Sequence, residues 1–150
     1  MSLTYGLSSA NGLLGKLRRD AALFDEEVTS DRFFNFVVTG YSLIDWVKND
    51  PSVPTAAKSA VSSLYSDAWL KVCGDLATAS KHFILTMRVP VTADASSKRG
   101  WGCGRLGKGG WGQGEESIVV MLNDGASYSG LDLVSGVLQT WERFFTSYGM

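Results

Sequence analysis

Apolar side chains recur every three or four residues over most of this chain, which is the spacing of one face of an amphipathic helix. In the first such stretch one face is shared by Leu14, Leu17, Ala21, Phe24 and Val28, and the charged residues lie largely off it. Two serines precede the stretch, and a serine hydroxyl caps a helix start by accepting a backbone N–H. The spacing therefore predicts a helix at this place, packed by its apolar face into a helical bundle.

The second stretch is rich in residues that favour strands, so a strand is an alternative to a helix there. Ser30 is suited to cap a helix. The spacing then places one set of residues on a common face, namely Phe33, Val37, Tyr41, Ile44 and Lys48, and a second set broadens this face, namely Phe34, Val38 and Val47. The apolar run is longer than a strand and ends in an Asn-Asp-Pro sequence at Pro51, which breaks regular structure. We therefore predict a helix from Ser30 to this breaker.

Three further helical stretches follow along the chain. Thr55 is suited to cap a modest helix, and a stronger helix starts near Asp67. The last helix carries apolar residues at core spacing, namely Leu131, Val134, Leu138, Trp141 and Phe145. Together with the first two stretches, this predicts a bundle of about four to five helices.

The apolar period changes before the last helix. Residues 83–92 alternate apolar and polar side chains after their start, which predicts a half-buried strand, and Pro90 indicates an edge position. Ser117–Leu122 is the second predicted strand, and the turn after it ends in Gly125. The predicted fold class is mainly α (α+β): a helical bundle with a two-stranded antiparallel β-hairpin inserted before the last helix.

At 150 residues the chain fits a single domain, residues 1–150, with a glycine-rich loop at residues 93–116 that we expect to be flexible. The net charge of −1 gives no bulk indication of a nucleic-acid or membrane partner. Cys73 and Cys103 lack metal-ligand spacing, so we expect free thiols in a reducing, cytoplasmic compartment, and neither a metal nor a cofactor. We also expect no secretory signal in the first ten residues and no membrane span.

Residues 100–114 are more than half glycine, and two phosphate-binding patterns occur among them. Gly102, Gly104 and Gly107 fit GxGxxG, and the same stretch continued to Lys108 fits GxxxxGK. A phosphate-binding loop has serine or threonine after the lysine, where this chain has Gly109, and both motifs join a strand directly to a helix. Here a strand follows the loop, so we interpret both matches as a consequence of the glycine content.

The same loop carries residues that suit a single-stranded nucleic acid. Arg105 and Lys108 are suited to contact phosphates, and Trp101 and Trp111 are suited to stack on bases, at roughly 1–3 kcal/mol per base. The alternative is a mobile connector whose tryptophans fold back on the hydrophobic face of the hairpin. The acidic Glu115 near the end of the loop favours this alternative.

The only histidine, His82, is predicted to lie where the last bundle helix before the hairpin meets a strand. Imidazole exchanges protons near neutral pH, so His82 and the neighbouring Lys81 are candidates for acid–base catalysis. Asp45 on the second helix is a candidate partner if the two helices pack antiparallel. The alternative is structural, because Lys81 and His82 in a last helical turn suit the negative end of the helix dipole.

Two segments near this histidine resemble a group of uncharacterised bacterial and phage proteins. Residues 41–46 match an aromatic-x-Leu-x-Asp-Trp segment, and residues 68–83 match a segment that includes Asp-Leu-Ala-x-x-x-Lys-His. An Asp-Gly turn and a Trp-x-x-Phe-Phe helix match later, so that the resemblance covers residues 33–145. The chain departs from the group at Gly74, where the group has arginine, and at Thr78, where it has asparagine.

The same pattern is more distantly similar to HEPN domains, which are helical bundles that often cleave RNA. Those domains carry an arginine, then four to six residues, then the histidine, and the matching positions here hold no arginine. The resemblance implies a shared helical fold. Without the arginine, His82 alone does not stabilise the charge that develops on a phosphate, which argues against ribonuclease activity.

These observations favour a non-catalytic helical domain with a binding or interaction role, of phage or mobile-element type. Its partner-facing surface is then the hairpin with the glycine-rich loop, and its partner is a protein, an RNA or a second copy in a homodimer. One alternative is a HEPN-like ribonuclease that uses His82, Lys81 and Asp45. The other alternative is a single-strand-binding module that uses the residues of the glycine-rich loop.

Overall fold

The computed structural model describes residues 5–82, 85, 89–100, 102–109 and 111–150. The helices in this part of the chain are α1 (Ala10–Glu26), α2 (Ser30–Asn49), α3 (Thr55–Ala60), α4 (Ala68–His82) and α5 (Gly130–Ser147), and a 3₁₀ helix covers Val61–Ser66. The strands are β1 (Thr92–Lys98), β2 (Ser117–Leu122) and β3 (Ser127–Ser129), in one antiparallel sheet. The prediction of a mainly α fold with some β structure is confirmed.

Side-chain caps fix the starts of the first two helices. Ser9 caps α1, because its hydroxyl accepts the N–H of Gly12 at 3.0 Å. Thr29 rather than Ser30 caps α2, since Thr29 has an extended backbone and its hydroxyl accepts the N–H of Arg32. The predicted cap is therefore wrong by one residue, whereas the choice of helix over strand for α2 is confirmed.

The predicted cap of α3 differs from the structure, whereas the predicted start of α4 agrees with it. Thr55, the predicted cap of α3, is its first helical residue, and Pro54 precedes it without a side-chain hydrogen bond. Asp67 lies immediately before α4, and its carboxylate accepts the N–H groups of Trp69 and Leu70 in the first turn at 3.0 Å each. The predicted start of this helix near Asp67 is confirmed.

The apolar faces of the helices meet in one core, in which α2 contacts α1, α4 and α5. The five residues predicted for the face of α1 are all buried, but Val28 lies beyond the end of the helix at Glu26. Trp141 of α5 is fully buried, and its Nε1–H donates to the carbonyl of Gly40 at 2.9 Å. The two helices approach closely there, since a Cβ on Gly40 would lie 3.2 Å from Val137. No helix among the described residues is long and apolar enough to cross a bilayer.

The first strand lies later in the chain than predicted. β1 begins at Thr92, where the predicted strand ends, and extends to Lys98. Residues 85 and 89–91 of the predicted strand lie outside any strand, and residues 83, 84 and 86–88 lie outside the described part of the chain. The alternation misplaced the strand because β1 consists of small and charged side chains that are mostly exposed, so pairing with β2 rather than burial of an apolar face stabilises it.

Among the described residues the sheet has three strands in the order β1-β2-β3, not the two predicted. β2 has the predicted bounds, and the turn after it is confirmed, with Gly125 at a φ of 87° that glycine adopts readily. β3 has only three residues, and two of them are serine, so it carries no apolar alternation. Its last residue, Ser129, is also the cap of α5, and its hydroxyl accepts the N–H of Asp132.

Candidate functional site

An apolar groove of about 400 Å³ opens between α2, α4 and β1, and we call it the β1 groove. Its floor is apolar and its rim carries serine hydroxyls. The lining residues are Ser30, Phe33, Phe34 and Val37 of α2, Leu76, Ala79 and Ser80 of α4, Ala95, Ser96 and Ser97 of β1, and Ile118 of β2. A concave apolar surface with a few polar groups at its rim is the usual form of a binding site.

The groove exists because the side chains of β1 are too small to fill the space above the helices. Ala95 lies opposite Val120 in the sheet, and Ser97 lies opposite Ile118. Val120 and Ile118 are buried in the core, so Ala95 and Ser97 point to the same side of the sheet. Both are nevertheless exposed, since no larger side chain of the described residues covers them.

The outer edge of β1 borders this groove. β1 is the first strand of the sheet and pairs with β2 on one side only; no other strand among the described residues pairs with it. Alternate backbone N–H and C=O groups of an edge strand point away from the sheet and are ready to pair with another chain. An extended segment added here would place every second side chain toward the groove.

Phe34 is the exposed aromatic side chain of the groove. It is 48% exposed, whereas its neighbour Phe33 is 8% exposed and packs against Phe24 at a ring distance of 5.5 Å. Successive residues on a helix point about 100° apart, so Phe33 packs into the core while Phe34 stays about half exposed. A large apolar side chain left in a groove is available to a partner.

The glycine-rich connection between β1 and β2 is fixed to the helices at its end by Glu115. This residue is 1% exposed, and its carboxylate accepts the N–H of Val28 at 2.9 Å and the backbone N–H of Arg105 at 2.9 Å. Arg105 also donates from Nε and Nη2 at 3.0 and 2.8 Å. The Arg105 hydrogen bond, opposed by burial and supported by the two backbone N–H groups, lowers the pKa of Glu115 from 4.5 to about 2.

Glu116 fixes the same connection to the rim of the β1 groove. Its carboxylate accepts the N–H and the hydroxyl of Ser30, and Arg99 lies 3.6 Å away. Burial acts to raise the pKa of Glu116, but hydrogen bonds from Ser30 and Ser97 outweigh it and lower the pKa. The negative charge also lies at the start of α2, where it complements the helix dipole.

Three of the four predicted nucleic-acid contacts lie in the described part of the chain, and these three are not equally exposed. Arg105 is turned inward to Glu115 and also donates from Nη1 to Asp25 at 2.9 Å. Trp111 and Lys108 are exposed, and Trp101 lies outside the described residues. The structure thus leaves a tryptophan and a lysine available on the loop and uses the arginine for internal pairing.

One glycine of the loop is explained by the Glu115 contact. Gly104 has a φ of 74°, and a Cβ there would lie 2.6 Å from the carbonyl oxygen of Glu115. A side chain at this position is excluded by both the backbone conformation and the close approach. The loop therefore requires a glycine of the GxGxxG pattern for its own packing, without a phosphate.

His82 is the last residue of α4, as predicted, and is exposed. Lys81 and Asp45 line a separate depression of about 280 Å³ between α2 and α4, and His82 is not among its lining residues. The Asp45 carboxylate accepts a hydrogen bond from Nδ2 of Asn49 at 3.0 Å. Within the described part of the chain no hydrogen bond joins the His82 ring to Asp45 or Lys81, and no group of three metal-ligating side chains occurs. The structure therefore brings two of the three predicted catalytic residues together.

Asp75, in the segment that resembles the bacterial and phage group, fixes the start of β1. It is 2% exposed, and its Oδ2 accepts the N–H groups of Val91 and Thr92 at 2.8 and 3.0 Å. These bonds hold the chain against α4 where it enters β1. A buried acceptor at this place has a structural role that is independent of His82.

We expect Asp75→Ala to lower the free energy of unfolding by about 1–3 kcal/mol, because two backbone N–H groups lose a buried acceptor. Urea unfolding followed by circular dichroism measures the change. Asp45→Ala is the control, since Asp45 is exposed, and we expect a change within about 0.5 kcal/mol. Equal effects of the two substitutions would contradict the structural role of Asp75.

Comparison with known proteins identifies no relative of this chain. No protein-family model, no curated protein and no solved structure matches it. The function is therefore argued from the geometry of the groove and the chemistry of its residues.

Proposed function

We propose that this chain is a non-catalytic protein-interaction domain that binds an extended segment of a protein partner along the outer edge of β1. The observation that carries the proposal is the position of the apolar β1 groove directly beside the edge of β1. Backbone hydrogen bonds along the edge supply affinity, and apolar side chains of the segment in the groove supply selectivity.

The composition of the groove supports binding over catalysis. Its described lining consists of apolar side chains and serine hydroxyls, and none of these residues is titratable in the neutral range. A hydrolytic site needs a base beside its nucleophile and a donor for the developing charge. The hydroxyls of Ser30 and Ser97 donate to the carboxylate of Glu116, whose lowered pKa makes it a poor base for a serine nucleophile.

The HEPN-like alternative is supported less well by the arrangement of its residues. Lys81 and Asp45 share a depression, but His82 lies outside its lining. The single-strand-binding alternative keeps Lys108 and Trp111 exposed and loses Arg105 to Glu115. In both cases a part of the predicted set is separated from the rest, whereas the groove and the edge of β1 are contiguous.

A display library of seven-residue segments tests the proposal. We expect enriched peptides to alternate apolar and polar residues and to shift the backbone amide NMR signals of Thr92–Lys98. Phe34→Asp is expected to weaken binding of these peptides by about tenfold or more, because it places a charge in the groove. Phe34 is about half exposed, so this substitution leaves the fold intact.

Leu23→Asp is the matched control, since Leu23 is 45% exposed on α1 and does not line the groove. We expect it to bind the selected peptides as the parent chain does. The proposal is wrong if Phe34→Asp binds them equally well. It is also wrong if the folded chain hydrolyses RNA and His82→Ala abolishes that activity.

A further inference from the structure

The outer edge of β1 is complementary in charge to itself. A bulge between Thr92 and Asp94 interrupts the pairing of β1 with β2, and the regular stretch is Asp94–Lys98. Within this stretch Asp94, Ser96 and Lys98 point to the face of the sheet opposite to that of Ala95 and Ser97, because side chains alternate along a strand, and Ser96 also borders the groove at the strand edge. An acid and a base thus lie at the two ends of the stretch, on the same face.

Full overlap of this five-residue stretch with its own copy allows one antiparallel register. In that register Asp94 lies opposite Lys98 of the second copy, Lys98 lies opposite Asp94 of the second copy, and Ser96 lies opposite its equivalent. Two opposite-charge pairs form across the strands, and such pairs stabilise a sheet. Parallel pairing in register would instead place each charge opposite the same charge, which is unfavourable.

Both charges are available for this pairing. Asp94 and Lys98 are exposed, and neither forms an ion pair within the described part of the chain. Charges on an edge strand usually prevent it from pairing with other chains. Here Asp94 and Lys98 have opposite signs. They therefore disfavour pairing in other registers and favour one register with a second copy.

We propose that two copies of this chain pair through the outer edges of β1, antiparallel about a two-fold axis at Ser96, and form one sheet that is continuous across the dimer. This inference rests on the proposed function, since β1 of a second copy occupies the same backbone edge, where it competes with the selected peptides without filling the groove, because its groove-side residues are only Ala95 and Ser97. The helices of both copies lie on the same side of the joined sheet. The two β1 grooves then adjoin, and each exposed Phe34 lies in a shared trough rather than at an open end.

Charge reversal at the two positions tests the register. The parent chain is expected to sediment with twice its mass of 16.2 kDa. Asp94→Lys alone and Lys98→Asp alone each create two like-charge pairs, and we expect each to raise the dissociation constant of the dimer by about tenfold or more. The double variant D94K/K98D restores both opposite-charge pairs, so it is expected to dimerise as the parent chain does.

An equal mixture of the two single variants is the most specific measurement. In the proposed register the Asp94→Lys chain pairs favourably only with the Lys98→Asp chain, so we expect the mixture to form heterodimers, which native mass spectrometry resolves. Glu26→Lys is the control for the change in net charge, because Glu26 is an exposed residue of α1, and we expect it to dimerise normally.

A parent chain that stays monomeric overturns the inference, and so do single variants that dimerise as well as the parent chain. A monomer that still binds the selected peptides through Phe34 would leave the proposed function standing. A monomer that binds none of them would overturn both.

Discussion

Replacing Glu115 with glutamine is expected to lower the free energy of unfolding by about 3 kcal/mol at pH 7, because the substitution removes the buried negative charge that pairs with Arg105. The carboxylate has no solvent exposure and accepts hydrogen bonds from Arg105 and from the N–H of Val28. Glutamine keeps the shape but turns an amide N–H₂ group toward these donors. The connection between β1 and β2 then loses its attachment to the turn before α2.

The pH dependence of the effect has a definite sign. The pKa of Glu115 is about 2 in the folded chain and 4.5 ordinarily, and each unit of pKa corresponds to about 1.4 kcal/mol. The ionised carboxylate therefore stabilises the fold fully above pH 4.5, and this contribution is lost as the pH falls from 4.5 toward 2. We expect the stability difference between the parent chain and Glu115→Gln to narrow over that range, as measured by urea unfolding at successive pH values.

Glu142→Gln is the matched control, since it changes the same chemistry at the surface. Glu142 accepts from Nε and Nη2 of Arg18 at 2.6 and 2.8 Å, but the two side chains are 38% and 54% exposed. Solvent screens such a pair, so we expect a loss of less than about 1 kcal/mol. Equal losses for the two glutamines, or a Glu115→Gln difference that is the same at pH 3 and pH 7, would contradict the role assigned to Glu115.

The long helices were predictable because each carries several turns of apolar spacing. The face predicted for α1 is buried, and α2 was assigned correctly since its apolar run exceeds the length of a strand. The strands show the opposite case. β1 and β3 are short, polar and largely exposed, so their sequences carry no apolar period, and pairing with β2 holds them. Apolar residues alternate along a strand only where one face of the strand is buried, and β1 and β3 are barely buried.

The candidate site was predictable only in fragments. His82 does lie at the end of α4, but which side chains surround a helix end depends on how α2 and α4 pack, and the sequence does not specify that. The β1 groove was not predicted, since the apolar spacing places Phe34 on the broadened core face of α2, whereas Phe34 is 48% exposed and lines the groove. Arg105 and Glu115 pair across a glycine-rich loop, and such a loop has no apolar periodicity from which its path could be predicted.

Gly136→Ala is expected to lower the free energy of unfolding by about 1–3 kcal/mol, although alanine is the better helix former by about 1 kcal/mol. Gly136 lies in the buried face of α5, and the indole ring of Trp69 on α4 lies directly against it. A methyl group there would overlap the body of the ring rather than the end of a flexible side chain. The ring is also held from another side by Tyr128, with 5.0 Å between ring centroids, so it has little room to move.

The same substitution at Gly15 is the control, and we expect it to have the opposite sign. Gly15 lies in α1, and a Cβ there meets only the end of the Arg19 side chain at 3.5 Å. Gly15→Ala should therefore stabilise the chain by about 0.5–1 kcal/mol, because alanine loses less backbone entropy on folding. Thermal unfolding distinguishes the two substitutions as shifts of Tm in opposite directions by a few degrees each.

A double-mutant cycle with Trp69→Leu isolates the overlap from the change in helix propensity. If the Trp69 ring causes the loss, Gly136→Ala should cost less in the Trp69→Leu background than in the parent chain, since leucine leaves space for the methyl group. Additive effects would show that α4 and α5 do not meet through this ring. The cycle therefore tests the packing of α4 on α5, and α4 supplies one wall of the β1 groove.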